Sequence, residues 1–173
     1  MAFLEIEAKI LEINRALVEE QLLARGAEKI FDGELLSVSY TSPNGKRIRI
    51  RTFNGKETLL TYKEKTGNAG SFSTEEMEYE TEIQDPEIMD YILLASGFIC
   101  VAKISKRRTS YLLGETRYEI DDYGTIPVFL EFESPSEEVL IAAAAELGFE
   151  KEQFFLGGIQ ALEAHYQLSL NTL

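Results

Sequence analysis

The sequence predicts an α+β fold in which antiparallel strands form the centre and helices pack on the outside. Three observations carry this prediction. Segments that alternate apolar and charged residues recur along the chain, the hairpin signal Asn54-Gly55 joins two of them, and amphipathic helical segments separate the groups of strands. Runs of strands joined by tight turns, with helices set apart from them, are typical of this fold class.

The first half of the chain is predicted to hold one helix and several strands. Asn14 is suited to cap this helix, and Gly26 is suited to follow its end, where the backbone commonly turns left-handed. A turn at 42–45 and a polar loop at 67–70 separate neighbouring strands. The predicted strands lie at 2–13, 28–41 (as one strand or two), 46–53, 57–65 and 75–84.

In the second half, Asp85 and Pro86 predict the start of a helix that Gly97 ends, since Asp caps helices and Pro favours their first position. Ser134 and Glu137 fit a capping box that opens a third, alanine-rich helix reaching about residue 147. Strands are predicted around 98–113, 116–122 and 128–133, and a last helix over about 158–168. We expect one domain over residues 1–173.

Composition and charge argue against several classes of protein. The chain has 173 residues, a net charge of −13 and one cysteine, which argues against a disulfide framework and against general binding to nucleic acid or anionic membranes. We see no signal peptide or membrane helix and expect a cytoplasmic monomer or homodimer. Most of the 17 Lys and Arg residues nevertheless lie at 46–65 and 103–108, which favours a cleft for a small polyanion.

Several predicted strands carry a row of like charges, because residues two apart share a face of a strand. Like charges side by side repel, so an arginine row needs an anionic partner, and a glutamate row needs bases or a metal. A solvated face explains any single row. All the rows together have a different explanation. The apolar residues that alternate with the charged ones are needed to pack beneath the helices, so in a barrel the charged rows would face inward and line a tunnel. The rows are Glu5, Glu7 and Lys9; Arg47, Arg49 and Arg51; Glu76, Glu78, Glu80 and Glu82; Lys106 and Arg108; and Glu131 and Glu133.

These residue types point to phosphoryl transfer. Grouped carboxylates suit Mg²⁺ or Mn²⁺, and arginine and lysine suit phosphate oxygens. A site that combines both can position a polyphosphate and neutralise its charge. His165, the single histidine, is expected to be packed or on the surface, and Cys100 is expected in the core. The sequence contains no P-loop or GxGxxG pattern.

The order of the charged blocks resembles the CYTH superfamily, the triphosphate tunnel metalloenzymes. Glu-Ile-Glu-Ala-Lys at 5–9 matches the family's ExExK signature, and the later blocks follow in the family's order, so that the resemblance spans about residues 3–166. These blocks are IRIR at 48–51, LTYK at 60–63, EYE at 78–80, KRR at 106–108, ID at 120–121 and FLEFE at 129–133. Ser39-Tyr40-Thr41 and Ile126-Pro127 depart from it, since many relatives carry an aspartate beside an aromatic residue at the first position and glycine at the second.

The resemblance implies an eight-stranded antiparallel β-barrel, a tunnel with a charged interior that binds a triphosphate together with Mg²⁺ or Mn²⁺. The implied metal ligands are Glu5, Glu7, Glu131 and Glu133, with Asp121 nearby. The implied phosphate-binding residues are Lys9, Arg49, Arg51, Lys63, Lys106 and Arg108, where the register of Lys106 and Arg108 against Arg107 stays open. Glu78 and Glu80 would hold a second metal or orient the bases, Lys9 would also aid proton transfer, and Tyr40 would keep part of a catalytic role.

The resemblance leaves three functions open. The favoured one is a divalent-metal-dependent triphosphatase that hydrolyses inorganic triphosphate or a nucleoside triphosphate with metal-activated water. The alternative is a class IV adenylate cyclase, in which the ribose 3′-hydroxyl attacks the α-phosphorus of ATP and pyrophosphate leaves. A non-catalytic module that binds polyphosphate or nucleotide is less favoured, because binding alone would not need so many acids facing an anion. The lack of tryptophan and of a clear aromatic cluster disfavours thiamine triphosphate.

Overall fold

The computed structural model is a closed antiparallel barrel of eight strands, as the sequence predicts. It describes residues 2–65 and 72–172, with the side chains of 2–5, 65 and 75 left out of the description. The strands follow one another around the barrel in the order β1-β5-β4-β3-β2-β6-β7-β8, and β1 pairs with β8 to close it. They are β1 (Ala2–Ile10), β2 (Glu28–Thr41), β3 (Arg47–Phe53), β4 (Glu57–Lys65), β5 (Thr74–Glu82), β6 (Ile99–Leu113), β7 (Thr116–Asp122) and β8 (Phe129–Ser134).

Four α-helices pack around this barrel: α1 (Arg15–Ala24), α2 (Pro86–Ala95), α3 (Glu137–Glu146) and α4 (Ile159–Tyr166). The side chains of Asn14 and Asp85 accept hydrogen bonds from the first turns of α1 and α2, as predicted. The predicted capping box at Ser134 is wrong, because Ser134 ends β8 and Ser136 caps α3 instead. No helix within 2–65 and 72–172 is both long and apolar enough to cross a membrane.

The apolar alternates of the strands face outward and form the core beneath the helices. The main cluster lies between β1, β7 and β8 on one side and α1 and α3 on the other; its buried members include Ile6, Ala8, Ile10, Val18, Leu22, Tyr118, Ile120, Leu130, Phe132, Leu140 and Ala144. A smaller cluster beneath α2 joins Tyr40, Ile50 and Leu93. Each large side chain buried in this way contributes about 1.5–3 kcal/mol. The alternation then turns the charged rows of the same strands toward the barrel interior.

Backbone geometry fixes where the strands end. Asn54 and Gly55 have φ values of 50° and 65° and form the predicted tight hairpin between β3 and β4. The first strand ends at Ile10, not at residue 13 as predicted, and Glu12 with φ 58° follows the point where the chain leaves the sheet. Beyond the last pairing of β1 with β5, Lys9 instead exchanges two backbone hydrogen bonds with Phe155 (3.1 and 2.8 Å).

Candidate active site

The barrel encloses a cavity of about 550 Å³ whose wall carries both signs of charge. Except for Glu163 of α4, the charged side chains belong to strands that are distant in sequence and close together in the barrel. They are Glu7 and Lys9 of β1, Arg47, Arg49 and Arg51 of β3, Lys63 of β4, Glu76 of β5, Lys106 and Arg108 of β6 and Glu131 of β8. The structure therefore brings the predicted basic residues to one cavity.

Acidic and basic rows meet across β3, β4 and β5. The guanidinium–carboxylate pairs are Arg47–Glu76 (2.5 Å), Arg49–Glu78 (3.7 Å) and Arg51–Glu80 (2.5 Å). Lys63 contacts both Glu76, at 3.4 Å, and the fully buried Glu78. Burial raises the pKa of Glu80, but the charge of Arg51 and the hydroxyl of Thr61 outweigh it and hold this pKa below its usual value. Arg47 and Lys63 likewise hold the pKa of Glu76 below its usual value, so Glu76 and Glu80 stay ionised, and all three carboxylates contact bases of β3 or β4.

Lys9 lies between two carboxylates on the β1–β8 side of the cavity. Its ammonium nitrogen is 3.1 Å from Glu7 Oε1 and 3.4 Å from Glu131 Oε1. Burial alone would lower the pKa of Lys9, but Glu131 and Glu7 outweigh it and raise this pKa. Burial likewise opposes ionisation of Glu131, yet Lys9 and Arg108 hold the pKa of this carboxyl well below its usual range. Both groups therefore remain charged in the folded protein.

Asp121 holds the two bases of β6 in place. Its carboxylate is fully buried and accepts hydrogen bonds from Lys106 Nζ (2.5 Å) and from Arg108 Nε and Nη2 (2.7 Å each). Burial and the neighbouring Arg108 lower the pKa of Lys106 to about 8, against the opposing effect of Asp121. Arg107 points the other way and bonds Asp32 at 2.7 Å on the exterior. This geometry gives the register that the sequence left open.

Three glutamates form a cluster that could hold a metal ion. Oxygen atoms of Glu119, Glu131 and Glu133 all lie within 4.8 Å of one another, on the adjacent strands β7 and β8. Grouped hard oxygens of this kind fit Mg²⁺ or Mn²⁺. Two of the three were predicted, and Glu119 was missed. The signal was present, because Glu119 stands two residues before Asp121 and so shares its face of β7.

Asp121 and Tyr40 lie outside the three-glutamate cluster, whereas Glu7 lines the cavity beside it. Glu7 neighbours Glu133 in the β1–β8 ladder, whereas the side chain of Glu5 lies outside the described residues. Asp121 is not part of the carboxylate cluster found among the described residues. Tyr40 lies under α2, where it is 2% exposed and its hydroxyl donates a hydrogen bond to Asp90 Oδ1 at 2.6 Å.

We expect Tyr40→Phe to lower stability and to leave activity nearly unchanged. The hydroxyl bonds a carboxylate, and losing a hydrogen bond to a charged group costs about 1.5–3 kcal/mol. Burial, followed by Asp90, raises the pKa of Tyr40 above its usual value, so the folded state holds this proton more tightly. Stability therefore declines as pH rises above about 10, and the decline is shallower in Tyr40→Phe. Urea unfolding at pH 7 and pH 10.5 checks this, and loss of turnover in a stable variant would contradict it.

One wall of the cavity is largely uncharged. It is built from β2, the first part of β6 and α4, where Glu163 is its charged residue, and its uncharged lining includes Leu35, Ser37, Ser39, Ala102, Ile104 and Gln160. The segment after α4 is fastened to β6, since Asn171 accepts from Lys103 N (2.9 Å) and donates to Val101 O (3.2 Å). The cavity thus has a charged part suited to phosphates and an uncharged part with room for an organic group.

Comparison with known proteins finds a family domain that matches the chain and solved structures with a similar fold. Residues 4–160 match the CYTH domain. A conserved hypothetical protein from Pyrococcus furiosus is 28% identical, with 87% of this chain and 94% of that chain covered and a TM-score of 0.74. A proposed adenylate cyclase from Vibrio parahaemolyticus shares the fold at 15% identity, with 95% and 99% covered and a TM-score of 0.80.

A proposed adenylyl cyclase from Hippeastrum, described as having a dominant triphosphatase activity, also shares the fold. It is 17% identical, with 96% of this chain and 97% of that chain covered and a TM-score of 0.62. None of the curated proteins compared matches the chain.

Proposed function

The chain belongs to the CYTH domain family, and from this premise we propose that it is a divalent-metal-dependent triphosphatase. Its substrate is inorganic triphosphate or a nucleoside triphosphate, bound inside the barrel. The observation that carries the proposal is the combination of a basic cavity wall with a cluster of three glutamates, of which Glu131 lines the same cavity. A site that only bound an anion would gain nothing from these acids.

Each side of the cavity has a distinct role in this proposal. Arg49, Arg51 and Lys63 bind phosphate oxygens, held in position by the carboxylates of β5. Lys106 and Arg108 bind the same substrate from the opposite side, positioned by Asp121. Fixed donors that are aligned before the substrate arrives stabilise charge that develops during phosphoryl transfer.

Glu119, Glu131 and Glu133 would hold the metal ion. Bound there, Mg²⁺ or Mn²⁺ supplies neutralisation of phosphate charge and activation of a water molecule. Lys9 keeps its proton beside Glu7 and Glu131, so it serves as a phosphate contact.

Adenylate cyclase activity is the second candidate, and the uncharged wall of β2, β6 and α4 favours it. An organic group next to the phosphates would have Leu35, Ile104 and Gln160 available for apolar and amide contacts. In that reaction the 3′-hydroxyl of the ribose, not water, is the nucleophile. The Vibrio parahaemolyticus protein is described as a proposed adenylate cyclase, and the Hippeastrum protein as having a dominant triphosphatase activity.

A product assay distinguishes the two reactions. The protein is incubated with Mg²⁺ or Mn²⁺ and, separately, with triphosphate, ATP and thiamine triphosphate, and the products are resolved. Orthophosphate together with pyrophosphate from triphosphate, or orthophosphate from ATP, supports the triphosphatase. Cyclic AMP and pyrophosphate from ATP support the cyclase, and binding of these compounds without turnover overturns both.

Arg49→Ala is expected to raise KM about 10- to 100-fold, because it removes a charged donor whose hydrogen bonds are worth about 1.5–3 kcal/mol. Arg49 lines the cavity, and its guanidinium faces Glu78. The matched control is Arg107→Ala, which removes a guanidinium of the barrel exterior. Initial rates over a range of substrate concentrations measure both variants, and an unchanged KM in Arg49→Ala would contradict a phosphate-binding role.

A further inference from the structure

The outer face of β4 and β5 is apolar and only partly covered by the helices of the chain. On the other side of the barrel, α1 and α3 bury the outward residues of β1, β7 and β8. Here Ile48, Leu60, Tyr62 and Tyr79 surround a surface cavity of about 230 Å³. Tyr79 remains 45% exposed. This sector of the barrel is a sheet face that lacks part of its helical cover.

Helix α2, which lies beside this sheet face, also has an exposed apolar surface. Its inner side packs on the barrel through Leu93 and Met89, but Ile88, Tyr91 and Ile92 are 56%, 71% and 47% exposed. Residues three and four apart lie on one side of a helix, so these three form a continuous apolar stripe. This stripe is therefore an apolar helix face that does not pack on the barrel.

Within one chain, the exposed stripe of α2 does not cover the exposed outer face of β4 and β5. The hydrogen bond from Tyr40 to Asp90 fixes the rotation of α2 and places Asp90 on the flank toward β2. At 100° per residue, Ile88 and Ile92 then lie on the opposite flank, toward β3 and β4. The stripe and the open face of β4 and β5 are therefore neighbours that form one contiguous apolar patch on the same side of the molecule.

We propose that a second copy of this chain covers this patch, so that α2 of each copy packs on β4 and β5 of the other about a twofold axis. A twofold interface needs a surface that complements itself. This patch carries both a projecting side chain, Tyr91, and a cavity between Tyr62 and Tyr79 of the size of one aromatic side chain.

The size of the patch agrees with a stable dimer. With large side chains at about 200 Å² each, the exposed fractions of Ile88, Tyr91, Ile92 and Tyr79 leave roughly 440 Å² of apolar surface. Protein interfaces are about 60% non-polar. This apolar area therefore corresponds to an interface of roughly 700 Å² per partner, which is within the range of specific complexes. Burying it removes the largest exposed side chain of the patch from water.

The first test is the mass of the protein in solution, measured by light scattering during size-exclusion chromatography. The wild-type protein is expected at twice the mass of one chain, and Tyr91→Glu at the mass of one chain. Leu17→Glu, which changes a side chain of α1 that is 50% exposed, is the matched control and is expected to stay dimeric. A wild-type protein of single-chain mass, or a dimeric Tyr91→Glu, overturns the proposal.

Cross-linking tests the geometry independently of that variant. In a Cys100→Ser background, Tyr79→Cys and Tyr91→Cys proteins are mixed and oxidised. The proposal places these two positions of different copies in contact, so a disulfide-linked dimer of one chain of each kind is expected. A mixture of Tyr79→Cys with Leu17→Cys is expected to give none. Equal cross-linking in both mixtures, or none in either, would show that the copies do not meet at this patch.

Discussion

Replacing Glu131 by glutamine is expected to reduce kcat/KM by about 10² to 10³-fold while the barrel persists. Glu131 belongs to the glutamate cluster and also contacts Lys9 and Arg108, at 3.4 and 3.7 Å. The amide keeps the shape of the side chain but loses the negative charge that a divalent ion needs. It also removes one of the two carboxylates beside Lys9 and leaves its ion pair with Glu7. Both effects act on the charged part of the cavity.

Metal binding measured without substrate separates these effects. The proteins are titrated with Mn²⁺, and the free ion is measured by electron paramagnetic resonance. Binding to Glu131→Gln is expected to be weaker than binding to the wild-type protein. Glu115→Gln, in the exposed turn between β6 and β7, provides the control with the same chemical change. An unaltered Mn²⁺ affinity in Glu131→Gln would exclude this carboxylate as a metal ligand.

Asp121→Asn is expected to give the largest loss of stability, about 3–5 kcal/mol, because it removes the shared partner of two buried bases. Asp121 has no exposed surface, and both of its oxygens accept hydrogen bonds from Lys106 or Arg108. Without its charge, an ammonium and a guanidinium remain side by side in a buried site. For a chain of this length, the melting temperature is expected to fall by about 10 °C or more.

The metal dependence of this loss tells whether Asp121 positions the bases or binds the ion. Thermal unfolding is measured in EDTA and again in excess Mg²⁺, with Asp122→Asn as the neighbouring control. Asp122 accepts a hydrogen bond from Gly124 in a turn, so its loss is expected to be small. A positioning role predicts the full loss in EDTA. A loss that occurs only with Mg²⁺ would assign Asp121 to the metal instead.

The pattern of the strands predicts most of the fold, because alternation decides which side chains enter the interior. Ile48 and Ile50 fall outside while Arg49 and Arg51 line the cavity, and this follows from a period of two alone. Ends of elements are less predictable. Ser134 and Ser136 both have the chemistry of a cap, and only the length of β8 decides that Ser136 caps α3.

The sequence did not predict which charged side chains pair with one another inside the barrel. The prediction placed Asp121 near the metal, and its hydrogen bonds with Lys106 and Arg108 are visible only in the structure. That pairing depends on the register in which Arg108 lies opposite Asp121 across the β6–β7 ladder. Tyr40 illustrates the same limit, since its bond to Asp90 depends on how α2 crosses β2. Register and helix placement arise from tertiary packing, which local patterns do not encode.

The pairing of β1 with β8 has a consequence for how the protein is made. Lys9 and Glu131 are neighbours in the closed barrel, and Lys9 also pairs with Phe155, so one edge of the first strand finds its partners only late in synthesis, whereas its other edge pairs with the earlier β5. Contacts between residues so far apart in sequence form slowly. On the ribosome, β2–β5 can form hairpins early, whereas the glutamates and lysine of the seam meet only after residue 134 has emerged. Until then the edge of β1 that pairs with β8 is open, and a chaperone or another nascent chain can bind it.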